Sequence, residues 1–260
     1  MLRYHISHSK ISRIFISHLH GDHYLGLVGL LSSMQLWGRK KELFIYGPKG
    51  LSEIITVQLQ FSETIITYDM HFRELNTEVS ELIVDEPTYS IHTIPLSHRI
   101  HCCGFIFKEK PKKRRLLVEL LPPTLTPLQK IALKKGENIQ DEHGNIFRNE
   151  EVTLPAKKSL SFAYCSDTAY LESIIPIIHE VDLLFHEATF LSSLQERAVQ
   201  TFHSTAEQAA TIALKAKVGK LIIGHFSSRY KDLQPHLEEA QAIFPNTFIA
   251  EEGKSFIIVD

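Results

Sequence analysis

Four apolar segments of the chain end in the same way, with one small residue followed by a side chain that can bind metal. The segments are "IFISH", "IPLSH", "AYCSD" and "LIIGH", which end at His18, His98, Asp167 and His225. Short, apolar and β-branched runs of this kind predict buried strands. Strand ends at the carboxyl edge of a sheet are where α/β folds build their sites, so the pattern predicts that these distant segments converge. A fifth run, "DLLFHE", ends at His186 and Glu187.

The remaining pattern alternates strands with helices, which is typical of a layered α/β architecture. We predict strands at 13–17, 42–46, 65–70, 89–96, 102–108, 160–166, 181–185, 220–224, 247–250 and 255–259. We predict helices at about 23–37, 50–61, 170–179, 204–216 and 232–243. The chain is interpreted as a single domain over 1–260.

The block "ISHLHGDH" (16–23) has a spacing that suits metal binding. His18 and His20 are two residues apart in an extended segment, so their side chains point to the same side and can bind one metal. Asp22 and His23 fall at the start of the next helix and point towards a second metal position. A lone histidine at a strand end is more often a hydrogen-bonded structural residue, but the block as a whole is difficult to explain in that way. Zinc binds imidazole and carboxylate in sets of about four. The seven candidates therefore suit two metals sharing a carboxylate and a hydroxide: His18, His20, Asp22, His23, His98, Asp167 and His225.

Composition excludes some classes of protein. A formal net charge of −2 gives no general signal for nucleic acid or membrane, so any such partner must be recognised by a local cluster. No apolar stretch approaches the roughly 20 residues of a membrane span and no signal peptide is evident, so we expect a cytoplasmic protein without a membrane partner. Three cysteines without CxxC spacing predict buried, reduced thiols.

Residues 108–158 interrupt the α/β pattern. The segment begins with "KEKPKKRR", which has six basic residues in eight positions, and continues through a proline-rich stretch with weak periodicity. We interpret it as an insertion that projects from the core. A basic run alone is usually a solvated surface, but it can also neutralise the phosphates of a nucleic acid.

Beyond the histidine block, several segments together resemble the ribonuclease Z family of the metallo-β-lactamase superfamily, in its short bacterial form. They are "ISHLHGDHYLGLVGLL", "IPLSHRI", "FAYCSDT", "FHEATF", "HSTAEQAA" and "GHFSSRY". The resemblance implies an αββα sandwich with two zinc ions per subunit. It places His18, His20, His98 and Asp167 around the first zinc, and Asp22, His23, Asp167 and His225 around the second.

The resemblance also implies a reaction, the removal of the 3′ trailer from precursor tRNA. Hydroxide that bridges the metals would attack the phosphodiester after the discriminator nucleotide, leaving a 3′-hydroxyl on the tRNA and a 5′-phosphate on the trailer. Asp22 would orient or deprotonate the water, and His203 with Glu187 would protonate the departing 3′-oxygen. A second interpretation of this region, compatible with the first, is that Ser204 or Thr205 caps the following helix, with Glu207 or Gln208 completing a capping box.

The family also implies how substrate and subunits associate. The insertion at 108–158 corresponds to a flexible arm that binds the tRNA elbow, although its Gly-Pro motif is absent and "LLPPTLTPLQ" stands there instead. A homodimer is implied by resemblance alone. The metal, whether zinc, manganese or iron, stays open because His/Asp sites accept several. The substrate-binding candidates are Lys112, Lys113, Arg114, Arg115, Ser227 and Arg229.

The beginning of the chain departs from the family. Members carry about 45 residues before the equivalent of "LRY", so we expect the first strands to be missing and a sheet edge to be unpaired. On that expectation the 260-residue chain alone is inactive or poorly soluble. Two alternatives therefore accompany the endoribonuclease hypothesis. One is a superfamily hydrolase of small phosphodiesters or aryl sulfates, and the other is an inactive, truncated relative that binds RNA.

Overall fold

Two β-sheets face each other across a shared interior in this computed structural model, which describes residues 2–258. The strands are β1 (Arg13–Phe15), β2 (Leu43–Gly47), β3 (Met70–Glu74), β4 (Leu82–Asp85), β5 (Tyr89–Pro95), β6 (Cys103–Glu109), β7 (Arg115–Leu116), β8 (Ile139–Gln140), β9 (Ile146–Phe147), β10 (Thr153–Leu154), β11 (Ser161–Cys165), β12 (Leu183–Glu187), β13 (Leu221–Gly224) and β14 (Thr247–Ile249). A three-stranded parallel sheet has the order β1-β2-β3. A seven-stranded mixed sheet has the order β14-β13-β12-β11-β6-β5-β4.

Helices cover the outer face of each sheet. The α-helices are α1 (Gly21–Leu36), α2 (Leu51–Phe61), α3 (Pro127–Lys135), α4 (Asn149–Val152), α5 (Gln195–Thr201), α6 (Ala206–Lys215) and α7 (Gln234–Gln241). Short 3-10 turns occur at Leu2–Tyr4, His8–Lys10, Val118–Leu120, Glu172–Ile174 and Ser192–Leu194. Helices α1 and α2 pack on the small sheet, whereas α6 and α7 pack on the large one, which gives the predicted αββα layers. None of the helices within residues 2–258 combines the length and apolar character needed to span a bilayer.

The alternation of side chains along the strands explains why both sheet faces are apolar. In β2, Leu43 and Ile45 join the core beneath the helices, while Phe44 and Tyr46 face the other sheet. A sheet buried on both faces requires apolar residues at consecutive positions, which is why such strands appear as continuous apolar runs. Gly104 allows β6 to approach β11 closely, since a Cβ there would lie 2.3 Å from the carbonyl oxygen of Tyr164.

Three sequence predictions of secondary structure were wrong. The third strand is Met70–Glu74 and not 65–70, because pairing with β2 begins at Met70 while Ile65 is exposed. Around 170–179 the structure has only the 3-10 turn Glu172–Ile174. Residues 255–258 form no strand, and position 259 of that predicted strand lies outside the described residues. Strand β4 was not predicted.

The insertion has an ordered interior of its own. Strands β7 and β10 pair at its base, β8 and β9 form a hairpin, and α3 begins with a capping box between Thr126 and Gln129. Leu125, Leu133, Ile139 and Val152 form a small separate core. The weak periodicity of this segment thus hides several short elements that pack on one another.

Candidate metal centre and active site

The strand ends converge as the sequence pattern predicts. Strands β11, β12 and β13 are mutually parallel, and β5 runs in the same direction because both β5 and β11 are antiparallel to β6. Their carboxyl ends therefore meet at one edge of the large sheet. The backbone N–H of Cys103 donates to the carbonyl of Ser17 at 3.1 Å, which joins the end of β1 to the same edge.

One group of possible metal ligands lies in the buried part of this edge. His18, His20, His98 and Asp167 each offer a ligand atom, and these atoms lie within 4.8 Å of one another. His98 Nε2 is 3.1 Å from His20 Nδ1, and His18 Nε2 is 3.7 Å from Asp167 Oδ2. These four residues could hold one metal.

A second group lies beside the first and faces its Asp167, and a third set joins Asp167 and His225 to His203. Asp22, His23 and His225 also have ligand atoms within 4.8 Å of one another. His23 Nε2 and His225 Nε2 each lie 3.4 Å from Asp167 Oδ1, whereas His18 and His98 face Oδ2. Each of the two oxygens of the Asp167 carboxylate thus faces a different group of possible metal ligands. This arrangement could bridge two metals.

The spacing and chemistry of these atoms fit divalent metal. With metal–nitrogen bonds of about 2.1 Å, tetrahedral ligands stand roughly 3.4 Å apart, and the observed separations around Asp167 run from 3.4 to 3.9 Å. His18 Nε2 is fully buried and has no hydrogen-bond partner among residues 2–258. A buried ring nitrogen of that kind is costly unless it binds something.

Hydrogen bonds to the opposite nitrogen orient three of the imidazoles. His98 Nδ1 donates to the carbonyl of Phe202 at 2.9 Å, and this leaves Nε2 free to bind metal. His18 Nδ1 lies 3.0 Å from Ser17 Oγ, and His225 Nδ1 lies 2.9 Å from Thr189 Oγ1. Partners of this type fix the tautomer and orientation of metal-binding histidines. Phe202 and His225 both have left-handed backbone conformations, with φ of 57° and 58°.

The protonation states of the group also suit metal binding. Burial, followed by the charge of His23, lowers the pKa of His18 to about 3, and burial lowers the pKa of His98. Burial opposes ionisation of Asp167, but the hydrogen bond from His23 and the charge of His225 hold its pKa well below the usual range. His18 and His98 are therefore neutral imidazoles beside an ionised carboxylate, the forms in which these side chains bind metal. In contrast, burial lowers the pKa of His23 but the hydrogen bond and charge of Asp167 outweigh it and raise the pKa.

His203 and Glu187 form a pair next to the two ligand groups. His203 Nδ1 lies 2.8 Å from Glu187 Oε1, and the imidazole stacks on that of His225 with 5.4 Å between ring centroids. Burial alone lowers the pKa of His203, but the hydrogen bond and charge of Glu187 outweigh it and raise the pKa. His203 is therefore suited to carry and deliver a proton.

Glu187 is fixed by five donors at the floor of the site. It accepts from His203, from the hydroxyl of Thr189, and from three backbone N–H groups, those of Thr168, Thr189 and Ser204. The following segment also forms the helix cap, because Thr205 and Gln208 make a capping box at the start of α6. The capping interpretation is therefore confirmed for Thr205 and Gln208, while the proton-donating role of His203 and Glu187 stays a prediction.

The predicted substrate-binding residues are not all close to the ligand groups. Ser227 and Arg229 are close to these groups. The Ser227 N–H donates to the carbonyl of Thr189, and Arg229 Nε donates to Ser227 Oγ. The arm leaves the other end of β6 and β11, and β6 is seven residues long, so the basic run begins roughly 20 Å from the site. Within that run, Lys112 pairs with Glu109 and Arg114 donates to Thr153, while Lys113 and Arg115 are exposed.

Sequence reasoning missed two groups that support the ligands. Thr189 contacts both Glu187 and His225, and its position two residues after Glu187 in an extended segment could have indicated a shared direction. The second group is the backbone carbonyl of Phe202, and no residue type in the sequence could have predicted its contact with His98. The three cysteines are free and buried as predicted, and Cys102 Sγ lies 3.6 Å from His18 Nδ1.

Known proteins resemble this chain over nearly its whole length. A ribonuclease Z from Cytophaga hutchinsonii is 53% identical over 241 residues, which are 92% of this chain and 77% of that protein. A ribonuclease Z from Bacteroides thetaiotaomicron is 43% identical over 257 residues, or 98% of this chain and 81% of that protein. No family model matches the chain.

Solved structures support the fold. Human tRNase Z, short form, has a TM-score of 0.68 and 22% identity, and the match covers 100% of this chain and 83% of that chain. A metallo-β-lactamase fold protein from Bacillus subtilis, YhfI, has a TM-score of 0.64 and 18% identity over 97% of this chain and 80% of that chain. At this level of sequence identity, these two structural similarities support the fold alone.

Proposed function

The chain belongs to the ribonuclease Z family of metal-dependent endoribonucleases, and from this premise we propose that it removes the 3′ trailer of precursor tRNA by cutting after the discriminator nucleotide. The observation that carries the proposal is the placement of the His203–Glu187 pair beside two ligand groups that both contact Asp167. Phosphodiester cleavage requires an activated water on one side of phosphorus and a proton for the leaving oxygen on the other. Both requirements have residues at this edge. A substrate of this kind implies a cytoplasmic enzyme.

The metal we propose is zinc, with two ions per subunit. His18, His20, His98 and Asp167 would hold one ion, and Asp22, His23, Asp167 and His225 would hold the other. Two such ions supply Lewis-acid stabilisation of the phosphodiester and a nucleophile at neutral pH. The ligand chemistry of imidazole and carboxylate agrees with this choice.

Asp22 is the residue we assign to the attacking water. Its side chain is 73% exposed, so substrate and water can reach the carboxylate, while Oδ2 stays 3.5 Å from His23 Nε2. Asp22 also lies in the first turn of α1. A carboxylate in that place would orient a water molecule and accept its proton.

His203 is the residue we assign to the leaving group. Glu187 holds the Nδ1 side of the ring, so Nε2 is the atom that would donate a proton to the departing 3′-oxygen of the tRNA. Because Glu187 raises the pKa of His203, the protonated form persists to higher pH. The products are a 3′-hydroxyl on the tRNA and a 5′-phosphate on the trailer.

Binding of precursor tRNA is assigned to the arm and to the loop after β13. The exposed Lys113 and Arg115 would contact phosphates at a distance from the site, whereas Ser227 and Arg229 would contact the strand near it. Lys112 and Arg114 hold arm structure through Glu109 and Thr153, so their part in RNA binding is to position the arm.

A homodimer is the assembly we propose. Leu36 on α1 and Phe61 on α2 are each 85% exposed, and Val57 and Ile65 are exposed close to them in sequence. Exposed large apolar side chains on adjoining helices are unfavourable in water and mark interaction surfaces. A second copy of the chain would cover them.

The test is cleavage of a 3′-extended precursor tRNA by zinc-loaded protein, with both product ends mapped. We expect one cut after the discriminator, and we expect Asp22→Ala to reduce the rate by two orders of magnitude or more. Asp69→Ala is the matched control, since Asp69 is exposed and precedes β3 at the opposite edge of the small sheet. Hydrolysis of small phosphodiesters without cleavage of precursor tRNA would contradict the proposal.

A further inference from the structure

A cavity of about 780 Å³ opens beside the ligand groups and shares His20 with them. Pockets that hold small organic groups typically measure about 300–1,000 Å³, so this one can hold a nucleotide. Its wall next to the site is made by Leu19 and His20, and Ile100 lines it as well. Pro48, Leu75 and Thr77, which also line the cavity, are buried residues.

Thr77 indicates that the cavity receives a polar ligand. The residue is only 8% exposed, and its hydroxyl makes no hydrogen bond to another of residues 2–258 while it lines the cavity. The hydroxyl is therefore available to donate to, or accept from, the polar edge of a ligand. The loop is already fixed around Thr77, since the N–H of Asn76 donates to Glu81 and the hydroxyl of Thr93 donates to the carbonyl of Val79.

The charged residues at the rim of the cavity determine which part of a nucleotide the cavity can bind. Three carboxylates, from Glu74, Glu78 and Glu81, line the cavity together with one ammonium, that of Lys49. Such a rim disfavours a phosphate, because the excess of negative charge repels it. It accepts an uncharged ring whose N–H groups can donate to carboxylates, and the apolar lining residues can contact the ring faces. An unpaired nucleobase meets both conditions.

The position of His98 identifies which nucleotide this is. His98 Nε2 faces His20 at 3.1 Å, while Nδ1 on the other edge of the ring donates to Phe202, the neighbour of His203. The cavity is thus on the side of His98 away from His203, the proton donor to the tRNA 3′-oxygen. We infer that the cavity binds the base of the first trailer nucleotide. This inference rests on the proposed function.

The experiment compares two precursor tRNAs that differ in a single group. One carries an ordinary first trailer nucleotide, and the other carries a ribose without a base at that position. We expect wild-type kcat/KM to fall roughly 5- to 150-fold when the base is removed, as for the loss of one stacked base. In Thr77→Val and in Ile100→Ala, the ratio between the two substrates should shrink towards one.

Leu214→Ala is the matched control, because Leu214 is an exposed apolar residue on α6 and should keep the wild-type ratio. The ratio is measured within each variant, so a general loss of activity does not affect it. Equal cleavage of both precursors by the wild type overturns the cavity assignment and leaves the proposed function intact. The assignment is also overturned if Thr77→Val and Ile100→Ala both keep the wild-type ratio of kcat/KM between the two precursors. Failure of the wild type to cut either precursor refutes the proposed function, and this inference with it.

Discussion

Thr189 links the pair that we propose as proton donor to His225, a proposed metal ligand, and its hydroxyl can be removed with almost no change of shape. Its Oγ1 lies 2.6 Å from Glu187 Oε2 and 2.9 Å from His225 Nδ1. The hydroxyl has two acceptors, Glu187 Oε2 and the carbonyl of His225 at 2.9 Å, and we assign its hydrogen to the carboxylate because that contact is shorter. The oxygen then accepts from His225 Nδ1–H and leaves Nε2 free for metal. Thr189→Val deletes the contact with Glu187 and the contact with His225 Nδ1. We expect weaker metal binding and slower cleavage together.

The magnitude follows from the two lost contacts. A hydrogen bond to a charged group contributes about 1.5–3 kcal/mol. Loss of a hydrogen bond that orients a metal-binding histidine typically costs about 10- to 100-fold in metal affinity or activity, which corresponds to about 1.4–2.7 kcal/mol. The two ranges agree, so we expect a 10- to 100-fold change in the metal Kd and a similar fall in kcat/KM.

Metal affinity would be measured by competition with a chromophoric chelator, and cleavage would be measured on a precursor tRNA. Thr189→Ser keeps the hydroxyl and should stay near the wild type. Thr211→Val is a further control, because that hydroxyl only donates to the carbonyl of Glu207 within α6. A Thr189→Val protein with wild-type metal affinity and wild-type kcat/KM would refute the coupling.

Four further outcomes are expected. Glu187→Gln removes the partner that raises the pKa of His203, so the alkaline limb of the pH profile of kcat/KM should move to lower pH, and an unmoved limb argues against His203 as the acid. Chelation of metal should abolish cleavage and also lower Tm, because buried atoms such as His18 Nε2 lose a partner, whereas an unchanged Tm contradicts the ligand assignment. Lys113→Ala and Arg115→Ala should each reduce the salt slope of RNA binding by about 1, and Arg114→Ala should instead lower the stability of the arm by breaking its contact with Thr153. Phe61→Glu should convert a dimer into a monomer in light scattering, and a variant that stays dimeric excludes this surface.

The convergence of the ligands was predictable because it depends on strand direction alone. An apolar run that stops at a metal-capable residue specifies both a buried strand and the edge at which it ends, and parallel pairing then brings His98, Asp167 and His225 together. A helix was also expected after this segment, at about 23–37, and the structure has it at Gly21–Leu36.

Other features depend on tertiary contacts that leave little mark on the sequence. Ile65 and Ile66 are as apolar as any strand residue, but pairing with β2 begins only at Met70. Strand β4 is a short edge strand of four residues with Leu82 exposed, so its pattern is weak. The carbonyl of Phe202 is positioned by a left-handed backbone conformation, which a phenylalanine in the sequence does not predict.

The arm and the ligand groups stand at opposite ends of β6 and β11, which are inner strands of the large sheet with β5 and β12 on either side. The offset between them is therefore a backbone dimension, held by hydrogen bonds along both strands, and no single loop movement shortens it. Under the proposed function, this offset would measure the substrate. An RNA would be selected by whether its own helical length spans the offset, and a helix lengthened or shortened between the two contacts should move the cut even when every base near it is unchanged.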